Sequence, residues 1–561
     1  MTGRQNVAEH VLVSARQRGV THVFGVHGAN IEDMYDAAAR LDMPTVVAKH
    51  EFAAGAMADG VARMTDSPSM VVTTSGGGSM NVVPALAESY DSRVPVLAVI
   101  GVAPTALTAR GAFQDMLDPP DTIDLMGVLR SVTGHAELVT HTTELGPALK
   151  SSFDTLDRGL PAALVIPKDV QSQSMWESTY QPPPSPKTDS GLIDSGLIDS
   201  DELTTLARHL ADAVADGARI CLWLGDEASR ARVGNTVHRL ASRLGATIVA
   251  SPGGADTTDT LSGHAGITGV MGHPSAHEAL SSASMCVSIG CRMTATDRGG
   301  LDRALDDLEV VHIGRHSARP IRGTSIVGSL PHALTFLDDA LDRLGLDEQR
   351  VPTAEIEYLD TPAIPDSRLP RLREIVETLA DALPHRAIVF ADAGNVGAAA
   401  IHYLAPVTDG RFTVALGMGG MGYAIAAGIG AAIGSAADGR TVIVAGDGAF
   451  FMHGMEFHTA VEYDAPVTLV ILNNDAHGMC VTRESLYFPE TPSVNRFRPT
   501  DIARGMAAMF SNVDVRHPGN LGELGADAAE LFSAAGPNAL VVDCDPDEIP
   551  PFLPFLQKGP R

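Results

Sequence analysis

Two apolar stretches near the C-terminus, each ending in a polar turn, constrain this chain most. Thr441-Val442-Ile443-Val444-Ala445 runs into Gly446-Asp447-Gly448, and 24 residues later Asn473-Asn474 closes the stretch Val467 to Leu472. Runs of this length and β-branched content read as buried strands, and Met455 to Tyr463 between them reads as a helix. Such a unit predicts parallel strands whose carboxyl ends lie side by side, where open α/β sheets bind ligands. An Asp and an Asn at those ends can hold one Mg²⁺, which takes oxygen ligands and commonly combines a carboxylate with phosphate oxygens. Glycines flanking Asp447 let backbone N–H groups approach a diphosphate, and a strand-to-helix turn adds the positive end of a helix dipole.

The same alternation runs through the rest of the chain. Strands are expected at His22 to Val26, Thr45 to Ala48, Met70 to Thr74, Val96 to Gly101 and Ala162 to Ile166. A second group follows at Ile220 to Leu224, Thr247 to Ala250, Met285 to Ile289 and Val310 to Ile313, and Ile388-Val389-Phe390 opens a third. The predicted fold class is therefore α/β, with three open parallel-sheet domains at 1–175, 201–345 and 369–561. Linkers are expected at 176–200, where a Pro-rich run precedes the tandem Ser-Gly-Leu-Ile-Asp of 190–199, and at 346–368.

Composition narrows the partners. A net charge of −28 argues against nucleic acid or an anionic membrane surface, and no apolar run reaches the ~18 residues of a membrane span. Five scattered cysteines without metal-ligand spacing fit buried thiols in a reducing cytoplasm. Any anionic substrate must be met by locally placed cations.

Further motifs supply a resemblance. Lys49-His50-Glu51 enters a small-residue helix, and Gly417-Met418-Gly419-Gly420-Met421-Gly422-Tyr423 precedes another. Together with the Gly446-to-Asn474 unit they resemble the thiamine diphosphate (ThDP) enzymes. The order of domains is similar to the acetohydroxyacid (acetolactate) synthase and 2-hydroxyacyl lyase branch. The resemblance implies pyrimidine-binding, middle and diphosphate-binding domains in that order, with ThDP and Mg²⁺ as cofactors. It makes Glu51 the carboxylate that activates the aminopyrimidine. Met421, beside Gly419, becomes the apolar residue beneath the cofactor, enforcing its bent form by proximity. It assigns Asp447, Asn474 and the Ala476 carbonyl to the metal. Asn81, Gly394, Asn395, Gly446, Gly448, Ala449, Gly478 and Met479 fall to the cofactor. Because Glu51 in that branch reaches a cofactor held by a second subunit, a homodimer or homotetramer with interfacial active sites is implied.

The reaction implied is carboligation: a pyruvate-like 2-keto acid loses CO₂ and the remaining fragment joins a second carbonyl compound. Gly111-Ala112-Phe113-Gln114-Asp115 and Ile166-Pro167-Lys168-Asp169-Val170-Gln171 resemble synthase segments, which makes Phe113, Gln114 and Lys168 substrate residues. Three departures stand out. Gly25-Val26-His27-Gly28-Ala29-Asn30 resembles a benzaldehyde lyase loop, making His27 and Asn30 candidate proton handlers and an acyloin lyase or 2-hydroxyacyl-CoA lyase the alternative. Arg483 replaces the aromatic residue that synthases carry four positions after Met479. It could clamp a carboxylate or phosphonate, or simply pair with Glu484 or Glu462 on a surface helix. His312-Ile313-Gly314-Arg315-His316 lacks the acidic strand end of the synthases, and Gly290-Cys291-Arg292-Met293 matches their flavin stretch only in part, so no FAD is expected. A catalytically inactive relative serving as a binding partner is the remaining alternative.

Overall fold

The computed structural model describes residues 5–175, 198–258, 262–318, 323–405, 407–435 and 439–557. The linker expected at 176–200 falls almost wholly outside them, as does most of its duplicated stretch.

Three six-stranded sheets follow one another, with every paired strand parallel. The first contains β1 Val23–Val26, β2 Thr45–Val47, β3 Ser69–Thr73, β4 Val96–Val102, β5 His135–Leu138 and β6 Ala162–Pro167, ordered β2-β1-β3-β4-β6-β5. The second contains β7 Ile220–Leu224, β8 Thr247–Ala250, β9 His264–Ile267, β10 Met285–Ile289, β11 Glu309–Gly314 and β12 Gly323–Val327, ordered β12-β11-β10-β7-β8-β9. The third contains β13 Ile388–Ala391, β14 Arg411–Val414, β15 Thr441–Gly446, β16 Val467–Asn473, β17 Asp514–Arg516 and β18 Asn538–Asp543, ordered β14-β13-β15-β16-β18-β17. The central strands are buried on both faces, as their unbroken apolar runs require. Each order reverses between a sheet's first strand and a later neighbour, at β1 and β3, β7 and β10, and β13 and β15, and these switch points are where open α/β sheets take ligands.

One expectation needs correction. The helix after β15 begins at Asp447 and runs to His453; a tight turn at Gly454–Glu456 then leads into a second helix, Phe457–Glu462. Asp447 therefore sits in the first turn of a helix, where its carboxylate meets the positive end of the dipole.

The first and third sheets share a core through two helices, Glu51–Thr65 and Tyr423–Gly434. Their axes approach so closely that a Cβ on Gly60 would lie 2.1 Å from the Ala427 carbonyl oxygen, and one on Gly430 would lie 2.3 Å from the Met57 Cα. Small residues at this crossing are a steric requirement.

The stretch expected as the second linker carries no helix or strand over 346–368, but it straps the second unit to the third. Leu359 donates its N–H to His402 Nε2 (2.9 Å), whose ring stacks on His273 at 4.5 Å between centroids. Each ring uses one nitrogen as donor and one as acceptor: His402 Nδ1 donates to the Met271 carbonyl, and His273 Nε2 donates to that of His402. Burial pushes His273 down to about 4 and His402 down to about 3, so both are neutral in the fold. Below pH 6.5 the unfolded chain takes up protons that the folded chain refuses, so this pair loses stability as pH falls, by about 1.4 kcal/mol per pH unit per histidine. Buried acids such as Asp392, raised to about 6 by burial, pull the opposite way. The readout is therefore a difference: His402→Asn should show a shallower fall in melting temperature from pH 6.5 to 4 than the wild type, measured by thermal melts across that range.

Candidate active site

At the third switch point the strand ends converge on one small volume. β13 passes into Asp392-Ala393-Gly394-Asn395, with Gly394 at φ 94° turning the chain into the helix Asn395–Tyr403. On the other side Asp447, 1% exposed, and Asn474 both accept from the Ala476 N–H, at 3.2 Å to Asp447 Oδ2 and 3.2 Å to Asn474 Oδ1. Burial raises the Asp447 carboxyl to about 6. Both side chains keep further oxygen lone pairs, and oxygen donors of this kind suit a hard divalent cation. Among the described residues no group of three or more His, Cys, Asp or Glu could hold a metal.

A second convergence lies beside it. A Cβ on Gly478, at the start of the helix Gly478–Tyr487, would stand 2.7 Å from Asn474 Nδ2 and 2.8 Å from Asn395 Nδ2. Two carboxamide donors thus flank a helix N-terminus, and buried Asn395 Oδ1 has no hydrogen-bond partner. Asn395 thus places a side-chain amide beside that of Asn474. Gly448 is held open in the same way: a Cβ there would lie 2.6 Å from His477 Nδ1 and 3.2 Å from Met421 Cε. This donor set fits a diphosphate with its divalent cation. Gly446 and buried Ala449 belong to the same turn, Met479 is half-buried beside it, and Gly419 (φ 63°) has open space where a side chain would be.

The loop carrying Met421 is pinned by Asp392. Its Oδ2 accepts from the Gly422 N–H at 2.7 Å and its Oδ1 from the Ala424 N–H at 3.2 Å. Asp392 thus fixes the loop rather than meeting a ligand.

The first switch point forms a separate group. Glu51 is the first residue of its helix, and Asn81 Nδ2 donates to its Oε2 at 2.9 Å. Its Oε1 would lie 3.3 Å from a Cβ on Gly78. Nearby, Asn30 Nδ2 donates to Ser75 Oγ (2.7 Å), and Ser75 Oγ donates to Gln114 Oε1 (3.2 Å). Ser75, the centre of this chain, was not singled out from the sequence; its place in the Thr74-to-Asn81 turn was the available signal. Gln114 has a positive φ of 61°, and Phe113 beside it is 83% exposed. His27 stands outside the chain, exposed and leaning on the Tyr35 ring at 4.8 Å between centroids. Lys168 Nζ is taken up by Glu32 and by the Ala29 carbonyl at 2.6 Å. Arg483 is exposed and, among the described residues, has no ion-pair or hydrogen-bond partner. Of the two acids expected to neutralise it, Glu484 accepts from Ser493 and from Asn495 (2.7 Å), and Glu462 pairs with Lys49 at 2.6 Å.

The middle switch point is closed by its own side chain. Buried Glu227 lies between the ends of β7, β10 and β11: a Cβ on Gly290 would meet its Cβ at 2.6 Å, and one on Gly314 would meet its Oε2 at 2.9 Å. Glu227 Oε2 also accepts the Arg315 N–H at 2.7 Å. Glu227 thus occupies the crevice at the middle switch point, where open α/β sheets take ligands.

Among the described residues, no hydrogen bond or ion pair joins Glu51, Asn81, Asn30 or Gln114 to Asp447, Asn474, Asn395 or Gly478. The polar groups of the first and third switch points form two separate hydrogen-bonded sets.

Comparison with known proteins agrees with this layout. Residues 5–123 match the thiamine pyrophosphate enzyme N-terminal TPP binding domain, 207–337 the central domain and 392–544 the C-terminal TPP binding domain. The acetolactate synthase large subunit of Haemophilus influenzae is 26% identical over 578 residues, covering 98% of this chain and 96% of the relative. Isozyme 2 of Escherichia coli is 24% identical, covering 99% and 98%. The probable large subunit of Methanocaldococcus jannaschii is 25% identical, covering 87% and 83%. With all three domains in order and relatives matched along nearly their whole length, the chain belongs to the thiamine pyrophosphate enzymes and is an acetolactate-synthase-like member of that family.

Proposed function

We propose that the protein is a ThDP- and Mg²⁺-dependent carboligase that takes a pyruvate-like 2-keto acid as donor and a second carbonyl compound as acceptor. The observation that carries this reading is the third switch point itself, where Asp447 and Asn474 share the Ala476 N–H and the amides of Asn395 and Asn474 flank Gly478. Asp447, Asn474 and the Ala476 carbonyl would hold Mg²⁺. Backbone N–H groups at Gly394, Gly446, Gly448, Ala449, Gly478 and Met479 would hold the diphosphate, with Met421 and Gly419 beneath the rings. When bound, ThDP supplies the electron sink for breaking and making carbon–carbon bonds next to a carbonyl.

The chain's own residues orient and handle protons. Asn81 fixes the Glu51 carboxylate, leaving its other oxygen free to share a proton with a pyrimidine nitrogen. The Asn30–Ser75–Gln114 chain offers hydrogen-bonding groups that can orient the substrate carbonyl, and Phe113 would border it. Glu51 and Asp447 belong to separate hydrogen-bonded sets, which supports a homodimer, or a tetramer of two dimers, in which one protomer's first domain meets its partner's third. Exposed Met418, Phe451, Met452 and Met455 beside the diphosphate turn, and exposed Phe113 beside Gln114, support that pairing, because such apolar surface marks an interface. Among the described residues no helix is long and apolar enough to cross a membrane. Five free cysteines support a cytoplasmic location. No FAD is proposed, since Glu227 fills the crevice.

Arg483 and Lys168 were both candidates for a substrate anion, and only Arg483 has its guanidinium uncommitted. Its proposed role is to bind the acceptor's carboxylate. With ThDP, Mg²⁺ and pyruvate, product analysis should find acetolactate without added aldehyde; acyloin cleavage without this product would favour the lyase reading instead. Arg483→Leu should raise the acceptor KM about 10-fold or more, the loss of one charge-assisted hydrogen bond, and leave decarboxylation of the donor largely unchanged.

A further inference from the structure

The loop Gly417–Gly422 has four glycines in six residues and little conformational preference of its own, yet it must place Met421. Asp392 holds its C-terminal end. A second set of buried groups, from the first domain, reaches the same loop. Glu88, 2% exposed, accepts the Met418 N–H through Oε2 at 2.6 Å. Its Oε1 accepts from Ser92 Oγ at 2.6 Å and from Arg63 Nη2 at 3.2 Å. Arg63 Nε donates at 2.6 Å to Asp59 Oδ1, and Asp59 is fully buried. Asp59 Oδ2 accepts from Ser89 Oγ at 2.7 Å, and its Oδ1 accepts the hydroxyl of Tyr423, the residue directly after the loop. The Arg63 guanidinium lies 5.5 Å from the centre of the Tyr423 ring.

These contacts close a circuit: Met418 N–H, Glu88, Arg63, Asp59, Tyr423 hydroxyl. One arginine joins two carboxylates, and each carboxylate holds one end of the loop. Gly417 is also fitted to it, since a Cβ there would lie 3.1 Å from each Glu88 carboxylate oxygen. We infer that Arg63, Glu88, Asp59 and Tyr423 form a brace that sets the height of Met421 under the cofactor, so that the first domain positions the cofactor floor of its own chain's third domain. The brace touches neither substrate nor cofactor; its members are positioning residues. The inference rests on the reading of Met421 as the residue beneath ThDP.

Tyr423→Phe and Glu88→Gln test it. The first removes one hydroxyl and leaves the ring over Arg63. The second keeps the volume but sets an NH₂ against one of the three donors that Glu88 now accepts. Three quantities are measured on the full-length protein: the apo melting temperature, the Kd for ThDP with Mg²⁺ by calorimetry, and kcat at saturating ThDP. Both variants should bind ThDP at least 10-fold more weakly and lose at least 10-fold in kcat even at saturation, while the apo proteins remain folded. Asp338→Asn serves as control, because it breaks a buried ion pair with Arg239 and Arg243 far from the loop. It should lower the melting temperature without changing kcat at saturation. If both brace variants behave like that control, the brace is only structural and the inference fails. If the wild type itself does not bind ThDP, the cofactor reading fails instead, so the two failures are distinguishable.

Discussion

Glu51→Gln is expected to leave ThDP and Mg²⁺ bound and to cut turnover by about 10²- to 10⁴-fold, the usual contribution of a positioned acid or base. The geometry explains why the two effects separate. Glu51 lies at the first switch point, where its carboxylate touches Asn81 and faces Gly78, whereas the proposed diphosphate donors and metal oxygens lie at the third. A glutamine keeps the volume and can still accept from Asn81. It cannot accept and return a proton at a pyrimidine nitrogen. Calorimetry should give a Kd within a few-fold of wild type, and steady-state kinetics the loss in kcat. Unchanged turnover would remove Glu51 from the mechanism. Loss of binding in parallel with activity would make it a structural cap of its helix.

Asp447→Asn should act in opposite directions on the apo and the cofactor-loaded protein. In the fold the carboxyl is raised to about 6 from the ordinary 3.8, because burial opposes its charge. A group raised in this way contributes stability below the unfolded value and loses it as pH rises through the folded one. At pH 7.5 the ionised wild-type side chain is therefore a liability, worth up to about 3 kcal/mol from a shift of roughly two units. Asparagine removes that liability, so the apo variant should melt higher than wild type at pH 7.5, with the advantage fading toward pH 4. Addition of ThDP and Mg²⁺ should reverse the ranking. Wild type gains about 2.7 kcal/mol at a ligand concentration 100 times its Kd, and the variant, lacking the carboxylate for the cation, gains almost nothing. Thermal melts at two pH values, with and without cofactor, check both signs.

Much of the fold was legible because a strand buried on both faces has one way to be written. Ile220–Leu224, Thr247–Ala250 and Met285–Ile289 are strands with the bounds their apolar runs imply. The strands not anticipated are β5, β9, β12, β14 and β17, each at the edge of its sheet, and β18, a buried strand inside the third sheet. An edge strand has a neighbour on one side only. It can be as short as Asp514–Arg516 or as exposed as Gly323–Val327 and leave no apolar run to read. The helix at Asp447 was placed late because its start is a glycine turn, and glycine weakens any helical signal.

The site was legible to a different depth in its two halves. Asp447 and Asn474 stand 27 residues apart, on adjacent strands of one unit, so their meeting follows from local topology. Ser75 was missed because it matters only through Asn30 and Gln114, which approach it from 45 and 39 residues away. Arg483 and Lys168 were equal candidates as residue types. Their difference comes from Glu32, which the turn of another element brings to Lys168 and to no other named cation.

By itself, then, the amino-acid order determined the three parallel sheets and singled out the glycine turn at Asp447 and the carboxylate of Glu51 as candidates for the site. Those depend on periodicity and on residues close together along the chain. Only the tertiary structure decided which polar groups are satisfied: that Glu227 closes the middle crevice, that Lys168 is neutralised while Arg483 is not, and that Arg63 ties Glu88 to Asp59 around the Met421 loop. For Glu227 and the Arg63 group the physical reason is burial, whereas the largely exposed Lys168–Glu32 pair meets across 136 residues. A buried charge must find its partner wherever the fold brings one, and the sequence distances involved, 88 residues from Glu227 to Arg315 and 364 from Asp59 to Tyr423, carry no local pattern.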